Sequence, residues 1–340
     1  MRKDGEMQEA ILLDGVKFSG AENRALGIFM SLRARGRDVR LLLSRRFHDQ
    51  ALDKFGIPPE AATIYDDYPR HVIVLQQLIA FFRRRGRLQA AAQPLERLVQ
   101  PLLDRHLQKV LDRQQIRLVH IFLDPKLGRH LQTPTVIEVS SPDYVHQLAR
   151  YDIFKSKTAS FHAVNETVRE HTEPFAPDGA RLRMPPITFF DLARFPEPKP
   201  FAQRKNLIVI AHRFLPRKNG VLFARVAARF LEKHCDWNIE ILGSGQQEME
   251  IHEIMNHHIE EGRAFVGYRS PIYNELARAK IFISIIVPNN YPSQSVLEAL
   301  SYGNALLISD TGTSINRFFD GNGMVSQLEE KEILAAQEQM

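Results

Sequence analysis

The chain is short of the features that would tie it to an oxidising compartment or to a bilayer. It has one cysteine, Cys235, in 340 residues, so no intrachain disulfide can form and a reducing cytoplasm is expected. Long hydrophobic runs are missing as well. The most apolar stretches, residues 281–287 and the Gln-interrupted residues 72–82, fall short of the roughly 20 residues that a bilayer span needs. The start, Met1-Arg2-Lys3-Asp4-Gly5-Glu6, leads into no long apolar signal core. Neither half pairs a glycine-rich turn with an acidic ribose ligand about 20 residues on, which argues against a nicotinamide-dependent oxidoreductase. His257 and His258 lack cysteine or carboxylate company at metal-ligand spacing, so no metal site is expected. No Ser-His-Asp or reactive-cysteine arrangement can be assembled locally; Cys235, beside Asp236 and Trp237, reads as structural, and His120 as a strand-end packing residue.

What is present describes a folded protein of 44% hydrophobic and 25% charged residues, long enough for two α/β domains with a cleft between them. The net charge is +5, but its distribution says more. Residues 70–117 hold ten Arg or Lys against Glu96, Asp104 and Asp112, a segment of +7 on an otherwise balanced chain. Beside apolar neighbours this fits attraction to an anionic membrane face or anionic glycan better than a nucleic-acid coat. A solvated helix face reads equally well from the charge run alone.

Residues 10–44 read as strand, glycine-containing loop, helix and strand, a βαβ unit. Further apolar runs at 118–122, 135–139 and 159–164 have the near-continuous character of buried parallel strands. Residues 94–114 carry apolar positions at helical spacing, with Pro101 placed to start or kink that helix. Proline density peaks at Phe195-Pro196-Glu197-Pro198-Lys199-Pro200, an extended linker. The expected domains are therefore 1–198 and 199–340. In the second, strands at 206–211, 238–242, 264–266, 281–287 and 305–308 alternate with helices at 221–234, 248–259, 272–279 and 293–302, so the fold class is α/β with two Rossmann-like domains. No sequence repeat relates the halves.

Ligands of open parallel sheets bind beyond the carboxyl ends of the strands. After Ile210 comes Ala211-His212-Arg213-Phe214-Leu215-Pro216-Arg217-Lys218-Asn219-Gly220, three cations before a helix, which suits a diphosphate or is simply a solvated basic loop. After Leu242, Gly243-Ser244-Gly245 permits close backbone approach to a ligand, or forms a plain turn. After Val287 the chain reads Pro288-Asn289-Asn290-Tyr291-Pro292-Ser293-Gln294-Ser295-Val296-Leu297-Glu298, where Pro292 and Ser293 can start a helix that Gly303 closes. Glu298 would sit on its second turn among apolar neighbours, where ligand hydroxyls are a reasonable partner.

Read together, these loops resemble the group 1 family of retaining GT-B glycosyltransferases over most of the chain. The resemblance implies that Arg213 and Lys218 hold the donor diphosphate and act in catalysis, and that Glu298 binds the nucleotide ribose. A first glutamate that contacts the donor sugar in the family is replaced here by Asn290. Tyr291, Pro292, Ser293, Gln294, Ser295, Gly243 and Gly245 join the donor side. So does the loop Gly20-Ala21-Glu22-Asn23-Arg24, through Gly20 and Glu22. Supporting similarity lies in Phe265-Val266-Gly267-Tyr268, in Ser309-Asp310-Thr311-Gly312-Thr313, in Asp320-Gly321-Asn322-Gly323, and in Asp191 and Phe195. Where many members carry a histidine, this chain has Ser140-Ser141-Pro142-Asp143, so Ser140, Ser141 and Asp143 are the acceptor-side candidates. Family members usually continue past the position of Met340, so a shortened chain is expected. The implied partners are a nucleoside diphosphate sugar and a glycan or lipid-linked acceptor, with no nucleic acid, no cofactor and no metal. A catalytically inactive GT-B scaffold is the alternative.

Overall fold

The structure is a computed structural model describing residues 8–15, 20–85, 89–176, 181–184, 196–269, 272–286, 294–309 and 324–326, with 332, 333 and 335. Contacts divide the chain into two units, Met1–Phe190 and Asp191–Met340. Each of its four hydrophobic clusters lies within one unit.

The first unit is built on strands β1 (Glu9–Leu13), β2 (Val39–Leu43), β3 (Ala62–Ile64), β4 (Leu118–Phe122), β5 (Thr135–Val139), β6 (Ala159–Ala163) and β7 (Leu182–Arg183). They form one parallel sheet in the order β3-β2-β1-β4-β5-β6-β7. The helices are α1 (Gly20–Ala34), α2 (Arg45–Phe55), α3 (Arg70–Arg84), α4 (Gln89–Arg113), α5 (Pro142–Arg150) and α6 (Glu166–Thr172). Leu and Ile of β1 and β2 alternate between the faces: Leu12 and Leu42 join one cluster, and Ile11, Leu13, Leu41 and Leu43 the other. A sheet buried on both faces needs apolar residues at nearly every position.

The prolines of α4 depart from expectation. Pro94 and Pro101 both lie inside one 25-residue helix that begins at Gln89, so Pro101 does not start it. An interior proline forfeits a backbone hydrogen bond and crowds the preceding turn, about 3 kcal/mol in an isolated helix. The apolar stripe of Val99, Leu103, Leu107 and Leu111, buried against the sheet, offsets that cost. α3 packs beside α4 as a hairpin.

The second unit repeats the winding. Strands β8 (Lys205–Ala211), β9 (Asn238–Leu242), β10 (Ala264–Gly267), β11 (Ala279–Ser284), β12 (Ala305–Ser309) and β13 (Met324–Ser326) pair in parallel in the order β10-β9-β8-β11-β12-β13. Helices α7 (Gly220–Lys233) and α8 (Glu248–Glu260) share a cluster on one face; α9 (Tyr273–Arg278) and α10 (Gln294–Ser301) share a cluster on the other. Residues 196–200 are exposed and carry no regular structure, as the prolines dictate. Both sheets reverse winding direction once, between β1 and β4 and between β8 and β11. These are their topological switch points.

Candidate functional site

At the second switch point, adjacent strands β8 and β11 release their loops at the same sheet edge. Arg213 and Lys218 stand ahead of α7 on one face, and Glu298 lies in α10 on the other, as a doubly wound sheet arranges the two sides of its crevice. One side chain joins the two loops: Asn219 donates from Nδ2 to the Ile285 carbonyl at 2.7 Å. Asn219 also holds a left-handed φ of 55°, which Asn tolerates better than most residues. It thereby turns a short helical stretch, Pro216–Lys218, into α7.

Among the described residues neither Arg213 nor Lys218 has an ion pair or side-chain hydrogen bond. Arg213 is exposed and Lys218 half-buried. Burial, followed by the charges of Arg217 and Arg213, lowers the Lys218 pKa to about 8. Three clustered cations without an anion make a receptor waiting for one. Sequence reasoning gave His212 no part here. Its Nδ1 meets the Arg213 carbonyl at 2.9 Å, its Nε2 is buried without a partner, and burial lowers its pKa to about 4. It is therefore neutral, with its Nε2 lone pair unused.

Gly243 and Gly245 have a role that the sequence left open. A Cβ on Gly243 would lie 1.9 Å from the His212 carbonyl oxygen, and one on Gly245 would lie 2.6 Å from that of Phe214. The Phe214 amide donates to the Ser244 carbonyl at 2.9 Å. The glycines therefore let the β9 loop lie against the backbone of the cationic loop and hold it in place.

Glu298 is 5% exposed. Gln294 donates from Nε2 to its Oε1 at 2.9 Å, and the Tyr273 hydroxyl donates to the same oxygen at 3.4 Å. Burial outweighs both bonds and raises its pKa to about 7. Asn290, Tyr291, Pro292 and Ser293 lie outside the described residues, as do residues 310–323, Asp191 and Phe195. Gln294 and Ser295 form the first turn of α10.

In the first unit, Gly20 opens α1 and Glu22 is buried in its first turn. Ser141 caps α5, its Oγ accepting from the Tyr144 amide at 3.2 Å. Asp143 is exposed in the first turn of the same helix, where the macrodipole favours an acid. These two thus have helix-starting roles of their own, and Ser140 is half-buried just before them. His120 is neutral, its pKa lowered to about 3 by burial and then by His162.

Two expectations are corrected. Cys235 is exposed rather than packed. His257 and His258 do have a carboxylate companion, because α8 ends so that Glu261 lies 3.3 Å from each. Their ligand atoms fall within 4.8 Å of one another, but Arg263 also pairs with that carboxylate.

The α3–α4 hairpin presents a surface of its own. Ile73, Val74, Leu78 and Phe81 on α3 and Leu98 on α4 are exposed. Arg105, Lys109 and Arg113, exposed on α4, follow a four-residue spacing along one helical face, and exposed Arg97 lies eight residues before the first of them. No helix among the described residues is long and apolar enough to cross a membrane.

Two parallel sheets wound alike, the second with a cationic switch point, define a GT-B protein. Residues 205–339 match the family model described as glycosyl transferases group 1. Among solved structures, the chain is similar to Anabaena HepE in complex with UDP-glucose at 15% identity and TM-score 0.70, over 98% of this chain and 89% of that one. It is also similar to WaaG, a glycosyltransferase involved in lipopolysaccharide biosynthesis, at 12% identity and TM-score 0.64, over 97% and 90%. A glycosyltransferase from Rickettsia africae matches at 11% identity and TM-score 0.63, over 98% and 88%. No curated protein matches by sequence.

Proposed function

We propose that the chain is a retaining glycosyltransferase that moves a sugar from a nucleoside diphosphate sugar to an acceptor hydroxyl, in the assembly of a bacterial-type surface polysaccharide, lipopolysaccharide or glycolipid. The observation that carries the reading is the cationic loop, unpaired among the described residues and tied through Asn219 to the loop that leads to Glu298. Departure of the diphosphate builds negative charge, and Arg213 with Lys218 stands where such charge is stabilised without reorganisation. Glu298 takes the ribose hydroxyls, replacing its own desolvation with charge-assisted hydrogen bonds. Likeness to HepE, which binds UDP-glucose, and to WaaG, involved in lipopolysaccharide biosynthesis, supports the substrate and pathway classes.

Replacing Lys218 by Ala is expected to lower turnover about 10²-fold at saturating donor, as loss of an oxyanion-type donor does. Glu298→Gln is expected chiefly to raise the donor KM, because a ribose contact is made in ground and transition states alike. Unchanged turnover in the Lys218 variant would put the phosphate site in the wrong loop. Asn290, in place of a carboxylate, motivates the second reading, a scaffold that binds a nucleotide sugar or a partner enzyme without turnover. Donor hydrolysis or transfer by the purified chain excludes it.

The setting we propose is cytoplasmic, with the α3–α4 hairpin resting on an anionic membrane face. Exposed Ile73, Val74, Leu78 and Phe81 supply insertion, and the cations of α4 supply attraction to headgroups. Co-sedimentation with anionic vesicles tests this; no binding at low salt removes it.

A further inference from the structure

The end of the second sheet that faces away from the cationic loop is held by one buried cation. Arg204, 9% exposed, stands just before β8 and spreads its guanidinium over the backbone of three segments. Nε donates to the Lys199 carbonyl at 2.8 Å, Nη1 to those of Ala279 at 3.3 Å and Gly303 at 3.0 Å, and Nη2 to that of Tyr302 at 2.6 Å. Lys199 belongs to the exposed proline-rich stretch, Ala279 follows α9, and Tyr302 and Gly303 follow α10. Asn304, 5% exposed, adds bonds from Nδ2 to the Leu276 and Ala279 carbonyls at 3.0 and 2.7 Å. The last carbonyls of a helix have no partner inside it, and here those at the ends of two neighbouring helices share one planar fork of donors. A lysine, a point charge on a single nitrogen, does not span such a set.

Both helices lead to Glu298. Tyr302 lies one turn beyond it, its amide donating to the Glu298 carbonyl at 3.1 Å. The Tyr302 ring, 2% exposed, stacks on that of Tyr273 with centroids 6.3 Å apart and planes 23° from parallel. Tyr273 closes the circuit, because its hydroxyl donates to Glu298 Oε1 at 3.4 Å. That length is near the limit of a hydrogen bond, so a small displacement of α9 against α10 breaks it. What fixes the two helices at their carboxyl ends therefore also fixes the carboxylate.

We propose that Arg204 is a positioning residue of the candidate donor site: by clamping the carboxyl ends of α9 and α10 it sets, through Tyr302 and Tyr273, the place and enclosure of the Glu298 carboxylate. Its effect on nucleoside binding rests on the ribose role proposed for Glu298; the clamp itself does not.

The test is an NMR titration of the full chain with glutamate isotopically labelled at the side-chain carboxyl, the Glu298 signal being the one lost in Glu298→Gln. Among the described residues the ionisable side chains facing Glu298 are the two tyrosines, and burial keeps both phenols protonated at neutral pH. Burial sets the Glu298 pKa at about 7, so water admitted when α9 and α10 part lowers it. Arg204→Lys and Tyr302→Leu are each expected to lower the midpoint by about one pH unit or more. Each should also weaken uridine about tenfold above neutrality, the loss of one well-placed charge-assisted hydrogen bond. The Tyr302 hydroxyl is buried without a partner, so Tyr302→Leu forfeits no hydrogen bond and decides the matter if Arg204→Lys does not fold. Val226→Ala, in the cluster on the other face of the sheet, costs stability without touching the circuit and should leave the midpoint in place. The proposal is overturned if the midpoint stays at about 7 or rises in the variants that fold, or if Val226→Ala lowers it as far. If the midpoint falls as expected while the parent chain binds no uridine, the ribose reading fails and the clamp stands.

Discussion

Two residues of the candidate donor site, Glu298 and Lys218, titrate in opposite senses near neutrality, and this gives the site a pH signature. The Glu298 pKa is raised to about 7, so the folded chain holds this proton more tightly than the unfolded chain. Its contribution to stability therefore declines as pH rises through 7. Ribose hydroxyls donate to the ionised form, so nucleoside affinity should rise over the same interval. The Lys218 pKa is lowered to about 8; above that pH it loses the charge that a diphosphate requires. Calorimetric titration from pH 6 to 9 should therefore show UDP affinity highest between about 7 and 8, whereas uridine affinity rises through 7 and does not fall. Glu298→Gln should remove the uridine rise, and Lys218→Ala the alkaline fall of UDP. A uridine rise that persists in Glu298→Gln would assign the acid limb to another group. Lys218 could be picked out because it follows an apolar run that ends in a basic loop, and Glu298 because it falls on the second turn of a helix that Pro292 and Ser293 can start. His212 could not, because its burial is set by α7 and the β9 loop, which meet it only in the folded unit.

At the scale of elements, the inner strands of both sheets were readable because buried parallel strands are apolar almost throughout, whereas the edge strands β3, β7 and β13, two or three residues each, were not. The helices α2 and α3 carried weaker patterns. Nine of the fifteen residues of α3 are apolar, yet several of them face outward, so the periodicity does not mark a single buried stripe. The prolines of α4 misled for another reason: local propensity yields to tertiary packing when a long stripe is buried. Along α4, Arg105, Lys109 and Arg113 repel one another at i,i+4, a cost of a few tenths of a kcal/mol for each pair. Arg105→Glu converts one repulsive pair into an attractive one and should raise the apparent stability by about 0.5 kcal/mol while weakening co-sedimentation with anionic vesicles. Greater stability with unchanged vesicle binding would make the stripe a solvated face and nothing more.

For the whole molecule, the division of the core decides how it should melt. No described hydrophobic cluster crosses from one unit to the other, so scanning calorimetry is expected to resolve two transitions, with UDP raising only the one that belongs to the second unit. A single transition that moves as a whole with UDP would mean that the units unfold as one cooperative body. The two switch points share a winding but not a charge balance: in the first, Asp14 is paired with Arg46 and Asp124 is buried beside Tyr65, whereas among the described residues the cations of the second have no anion. A bipartite substrate pair, one member polyanionic and the other uncharged, would thus be sorted by potential before any shape is compared. Swapping the pair between crevices would place phosphate against carboxylate in one and leave the cations uncompensated in the other. Order of loading and orientation of the reactants would then be properties of the electrostatic field rather than of a gate.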